Sequence, residues 1–183
     1  MEFGNIFKKK RGITKIDSGL MIMSKIPFSE KVDPELLTFK TKGVAEDKYA
    51  NKGALFAAFE DRDGEIFFLI NTHLQSTDSE KAKETRSKQI KEIIEKLEEY
   101  TFQYDEKKII LTGDLNSGIK LDKSTMTWID QTKYISERFR SAGIELNNNE
   151  MMRVIPKDPS SHTTWGRGTI LDVVFTSPLV KLG

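Results

Sequence analysis

The 183-residue chain is long enough to bury one hydrophobic core and too short for two of ordinary size. Hydrophobic residues make up 37% and include eleven phenylalanines, which excludes an intrinsically disordered chain. A net charge of +1 excludes a global field drawing the molecule to nucleic acid or acidic membranes, and the lack of cysteine excludes disulfides and thiolate metal sites.

The basic run Lys8-Lys9-Lys10-Arg11 has no apolar stretch after it, so it reads as a solvated loop rather than as part of a signal peptide. Leu20-Met21-Ile22-Met23 predicts a short strand that Pro27 ends, because proline cannot donate to a ladder. Leu36 to Thr41 alternates weakly, as an edge strand does. Ala54 to Phe59 and Ile66 to Ile70 are apolar runs joined by Asp63-Gly64, which predicts a hairpin. The second run is apolar throughout, so both of its faces are expected to be buried.

Thr77 and Glu80 have capping-box spacing and predict a helix start. Ile90, Ile93, Ile94 and Leu97 then form one stripe at helical spacing, opposite a solvated face of Lys and Glu. Ile109-Ile110-Leu111 predicts a buried strand. A second helix is expected within Thr127 to Ala142, with Ile135 and Phe139 inward and Gly143 as its stop. Met151 to Ile155 and Ile170 to Phe175 read as late strands. No run approaches the ~20 apolar residues of a membrane-spanning helix. No repeat or linker divides the chain, so residues 1–183 are expected to form one domain. The irregular alternation of strands and helices, with a hairpin included, predicts an α/β (α+β) sandwich with mixed or antiparallel sheets rather than a doubly wound parallel sheet.

Polar residues cluster just past the apolar strands. Asn71-Thr72-His73-Leu74-Gln75 follows one and Thr112-Gly113-Asp114-Leu115-Asn116 follows another. Asp114 and Asn116 are two apart, so on extended backbone they point to the same side. A carboxylate beside a carboxamide suits a hard cation or an oriented water, though Gly, Asp and Asn are also the residues of an ordinary turn. His73 is one of two histidines; it suits either a structural hydrogen bond or the stabilisation of charge on a phosphoryl group. Asp172 lies within the apolar run Leu171 to Phe175, and a buried carboxylate needs a partner. His162, in Ser161-His162-Thr163-Thr164-Trp165, has no comparable setting and reads as loop.

In order along the chain, Asn71-Thr72-His73-Leu74-Gln75, Gly113-Asp114-Leu115-Asn116 and Thr164-Trp165 before Leu171-Asp172 resemble the successive signatures of the endonuclease/exonuclease/phosphatase superfamily. Ser18-Gly19-Leu20 with Ser24 and Pro27, Asn51-Lys52-Gly53, and Arg86 with Gln89 are similar to its early strand, its pre-hairpin motif and its helix motif. The overall pattern most resembles neutral and bacterial sphingomyelinases. The resemblance implies a DNase I-like four-layer sandwich, two mixed β-sheets packed together with helices outside. It implies magnesium-dependent hydrolysis of a phosphodiester, with Asp114 and Asn116 as metal-side residues. On that pattern Asp114 orients or helps activate the water, His73 and Asn116 bind phosphoryl oxygens, and Asp172 supports the site.

Two family features have no counterpart here: an early "Q-E" glutamate that is the principal magnesium ligand, and a late "D-H" pair whose histidine is the general base. The expectation is therefore a piece of a longer enzyme, or a degenerate relative, inactive and poorly stable as it stands. Three functions compete. A phospholipid headgroup phosphodiesterase is favoured over a nuclease of the same fold by the near-zero net charge. A non-catalytic binding module is the third. Oligomeric state and compartment stay open at the level of sequence.

Overall fold

The apolar runs on either side of Asp63-Gly64 form a hairpin at the centre of the molecule. In the computed structural model, residues 6–7, 16–17, 19–122, 124–125, 127–148 and 169–180 are described. The early elements are β1 (Ile6–Phe7), β2 (Ile16–Asp17), β3 (Ile22–Met23), β4 (Glu35–Thr38), a 3-10 turn at Ala45–Tyr49 and β5 (Ala50–Asn51). The hairpin strands are β6 (Gly53–Glu60) and β7 (Ile66–His73), followed by helix α1 (Glu80–Tyr100). Then come β8 (Lys108–Asp122), β9 (Thr127–Asp130), helix α2 (Lys133–Ser141), β10 (Asn147–Asn148) and β11 (Thr169–Thr176).

Gly64 takes a positive φ of 81° in the hairpin turn. The Asp61 carboxylate closes that turn, accepting from the amides of Asp63 (2.9 Å) and Glu65 (3.0 Å). The main sheet has seven strands in the order β10-β11-β8-β7-β6-β4, with β9 paired to β8. It is mixed: β7 and β8 run parallel, and every other pairing in it is antiparallel. Helix α1 makes the crossover that a parallel pair requires. Among the described residues β4 pairs only with β6, as an edge strand.

One face of this sheet packs on the helices. Phe56, Phe68, Ile70, Ile109, Leu111 and Phe175 meet Ile90, Ile93, Leu97, Ile135 and Phe139 there, all nearly or fully buried. Each such side chain contributes about 1.5–3 kcal/mol on burial, so this layer dominates stability. Across the sheet lies a smaller cluster of Ile22, Leu55, Ala57 and Phe59, flanked by half-buried Phe67 and Leu69. The layer there, among the described residues, is the antiparallel β1–β3 pair with its flanks. Phe68 and Ile70 are buried while Ile66, Phe67 and Leu69 are half-buried, so burial of both faces of this run is only partly realised.

The α1 stripe lies inward as its spacing predicts, but the cap sits elsewhere. Ser79 is the N-cap, its hydroxyl accepting from the Ala82 amide at 3.2 Å. Thr77 instead adopts a positive φ of 69°, unfavourable for a β-branched residue. Ser79→Ala is therefore expected to cost about 1 kcal/mol in urea unfolding, while Thr77→Gly should not destabilise the protein. The reverse pattern would restore the Thr77–Glu80 capping box. Helix α2 lies within the expected Thr127 to Ala142 and begins only after β9 at Thr127–Asp130. Gly143 follows α2 at φ 76°, as a helix stop. The predicted strand at Met151 to Ile155 lies outside the described residues.

Candidate active site

The second polar motif lies wholly inside β8 and the first lies inside β7 as far as His73, with Leu74 and Gln75 just past its end. The parallel register sets His73 beside Asp114. The antiparallel register of β11 on β8 sets Asp172 opposite Asp114 on the other side. His73, Asp114 and Asp172 thus occupy one rung across three strands. Alternation puts His73 on the β7 face away from α1, because Phe68, Ile70 and Leu74 take the helix face.

His73 Nε2 lies 3.6 Å from Asp114 Oδ2, with both side chains partly exposed. Two backbone irregularities shape β8 here. Gly113 has φ 121°, and a Cβ on it would stand 2.0 Å from the Thr72 carbonyl oxygen, so only glycine lets β8 approach β7 this closely. Asn116 has φ 48°, left-handed backbone that asparagine tolerates better than most residues. That twist lets the Asn116 amide donate to Asp114 Oδ1 at 3.0 Å and its Nδ2 donate to the Leu74 carbonyl at 3.0 Å. The Leu74 amide in turn donates to the Asp114 carbonyl at 3.0 Å.

A buried scaffold lies behind these groups. Lys52 is 6% exposed; its Nζ donates to the Leu74 carbonyl at 2.6 Å and lies 3.2 Å from Asp47 Oδ2. Burial pushes the Lys52 ammonium below its ordinary pKa, while Asp47 and then Asp114 act against that fall. Burial works against the Asp47 carboxylate too, but the Ser76 amide and Lys52 outweigh it and hold its pKa below the ordinary value. Gln75 clasps the turn at Val44, accepting from its amide at 2.8 Å, and the Gln75 amide donates to Gln89 Oε1 at 2.8 Å. Arg86 Nη1 donates to the carbonyls of Gln75 (2.9 Å) and Thr77 (2.6 Å).

The structure therefore brings His73, Asp114 and Asn116 together and places the Asp172 backbone on the same rung. The side chain of Asp172, and the whole of His162 and Thr164-Trp165, lie outside the described residues. Sequence reasoning placed Lys52, Arg86 and Gln89 within motifs but gave them no role, and it passed over Asp47. No signal in the sequence marked Lys52 as buried, because a lysine beside an apolar strand ordinarily keeps its ammonium in water.

For the magnesium that the motifs imply, the donors fit in kind. The Asp114 carboxylate and the Asn116 Oδ1 are hard oxygens, and magnesium is commonly held by one or two carboxylates plus substrate phosphate and water. They make a partial shell. Among the described residues no group of three or more His, Asp or Glu side chains is gathered in metal-binding geometry.

The model of endonuclease/exonuclease/phosphatase family 2 matches residues 10–150. Sphingomyelinase C of Leptospira interrogans is 33% identical over 103 residues, which is 55% of this chain and 18% of that protein. Among solved structures, a β-hairpin deletion mutant of Staphylococcus aureus beta toxin superposes with a TM-score of 0.65 at 21% identity, covering 91% of this chain and 57% of that one. A beta toxin variant from S. aureus with bound magnesium ions gives 0.64 at 24% identity, covering 91% and 55%. This chain thus spans under a fifth of the curated relative and little more than half of the solved ones. The shared architecture is the DNase I-like fold, with its mixed sheet and outer helices. With most of its length matched by the family model, and with the motif-bearing strands paired in register, the chain belongs to endonuclease/exonuclease/phosphatase family 2.

Proposed function

We propose that the protein is a metal-dependent phosphodiesterase of sphingomyelinase type, hydrolysing the phosphodiester of a phospholipid headgroup. The observation that carries this reading is the His73–Asp114 pair at 3.6 Å on the parallel β7–β8 rung, with the Asn116 carboxamide held beside it. Asp114 orients the attacking water and accepts its proton as the new P–O bond forms. His73 and Asn116 face the phosphoryl oxygens as charge builds and the ester P–O bond breaks. Asp172, on the same rung, supports the site. Magnesium, when bound at Asp114 and Asn116, supplies positive charge that the phosphoryl oxygens lack.

The near-neutral net charge supports a lipid over a nucleic acid, whose phosphates demand many basic contacts. The match to a sphingomyelinase C supports it as well. The test uses the full-length enzyme that contains this chain and measures phosphocholine release from sphingomyelin vesicles and nicking of plasmid DNA, both with magnesium. Release without nicking is expected. Nicking without release would favour the nuclease reading, and neither activity would favour a binding module.

A further inference from the structure

Two motif residues on α1, Arg86 and Gln89, have no part in the chemistry above. They stand at the N-terminal end of the buried stripe that continues as Ile90, Ile93 and Leu97, and they are 2% and 0% exposed. Both turn their polar atoms to the main chain just after β7. Arg86 Nη1 donates to the Gln75 carbonyl at 2.9 Å, with Asp78 as its ion-pair partner at 3.8 Å. Gln89 Oε1 accepts from the Gln75 amide at 2.8 Å. Residues three apart on a helix share a face, so α1 grips both main-chain groups of Gln75, two residues after His73.

This grip reaches the site through one peptide unit. The Gln75 amide and the Leu74 carbonyl belong to the same planar group, which turns as one body. Gln89 holds its amide end. The carbonyl end accepts from Asn116 Nδ2 at 3.0 Å and from Lys52 Nζ at 2.6 Å. Fixing the amide therefore fixes the direction of the carbonyl, and with it the Asn116 carboxamide. That carboxamide is planar too, so a set Nδ2 sets where Oδ1 points. Gln89 carries a cost for this contact. Its Nε2 is buried and finds no protein partner among the described residues, and an orphaned buried donor is destabilising. Packing alone does not account for a glutamine here; the Gln75 amide does.

We propose that Gln89 is a positioning residue for the reaction: it sets the Leu74–Gln75 peptide plane and thereby aims the Asn116 carboxamide at the phosphoryl group. The proposal rests on the phosphodiesterase reading of this site. Asn116 acts as charge builds on the phosphoryl oxygens, so loss of its aim falls on kcat and leaves KM nearly unchanged.

The test uses the full-length enzyme that contains this chain, carrying isotope-labelled asparagine. The proteins are the wild type, Gln89→Met, Gln89→Glu, Asn116→Ala and the double variant of Gln89→Met with Asn116→Ala. Methionine is close in volume and lacks the acceptor; glutamate keeps the acceptor and drops the orphaned donor. Phosphocholine release from sphingomyelin is measured at saturating magnesium and well below each Tm, so that folded molecules are compared. Gln89→Met is expected to lower kcat about ten- to a hundredfold with KM within about twofold. Gln89→Glu should stay within about threefold of the wild type, since the acceptor remains. Once Asn116 is gone, Gln89→Met should lower the rate by at most about twofold more, because residues that act through one another are not additive. The side-chain amide resonance of Asn116, identified by its loss in Asn116→Ala, should move in Gln89→Met and return in Gln89→Glu. If Gln89→Met does not fold, Gln89→Asn, whose acceptor is one carbon short, takes its place. An unmoved Asn116 resonance, or a rate loss just as large without Asn116, would overturn the proposal. A wild type without turnover would sink the phosphodiesterase reading alone, and the Asn116 resonance would still decide whether Gln89 positions that side chain.

Discussion

In the full-length enzyme that contains this chain, Asp114→Asn is expected to lower phosphodiester turnover by several orders of magnitude while leaving the melting temperature nearly unchanged. The substitution conserves shape, and the Asn116 amide keeps an oxygen acceptor in place of Asp114 Oδ1. The chemistry is not conserved. An amide oxygen is a poor proton acceptor, and loss of a base alone typically costs about a hundred- to ten-thousandfold. The anionic donor nearest the proposed metal goes with it, which raises the barrier further. Single-turnover rates at saturating magnesium separate this from weaker metal binding. A mutant that turns over at near wild-type speed would remove Asp114 from the mechanism.

Lys52→Met should give a large stability loss, about 3–5 kcal/mol in urea unfolding, the usual cost of breaking a buried ion pair from one side. Asp47 would keep the Ser76 amide at 2.6 Å but lose its cation, and the Leu74 carbonyl would lose a 2.6 Å donor. Adding Asp47→Asn should recover part of the loss, because the stranded charge goes with it. A loss under about 1 kcal/mol would mean that the pair is idle. The pH dependence has a defined sign. Asp47 titrates below its ordinary 3.8 when folded, so its contribution is present above that value and fades as pH falls through the folded pKa. Asp47→Asn should flatten that acid limb. Lys52 titrates below its ordinary 10.5 when folded, so its charge costs stability at neutral pH, and the cost lifts as pH rises from the folded value toward 10.5.

Local signals in the sequence were reliable where one residue type has one use. Asp63-Gly64 specified the hairpin, and the isoleucine stripe specified the buried face of α1, because glycine at positive φ and apolar spacing each have few alternatives. The cap was misread because Thr77 and Ser79 are chemically alike, and only the path of the preceding loop chooses between them. The extent of β7 and β8 was underread because Asn71-Thr72-His73 and Gly113-Asp114 have weak strand propensity, and pairing in the sheet overrides it. The grouping of His73, Asp114 and Asn116 was legible through the family motifs. The scaffold beneath was not. Lys52 pairs directly with Asp47 and also reaches the Leu74 main-chain carbonyl, and a carbonyl leaves no mark in a sequence.

The parallel pairing of β7 with β8 also orders events during synthesis. The β6–β7 hairpin is local and can close as soon as it leaves the ribosome, whereas β8 pairs only after all of α1 has been made and has docked. His73 therefore spends part of the chain's early life on a finished hairpin with no Asp114 beside it. A nascent or half-refolded molecule is inert by construction, and activity in a refolding experiment should lag behind hairpin formation and rise with the burial of α1.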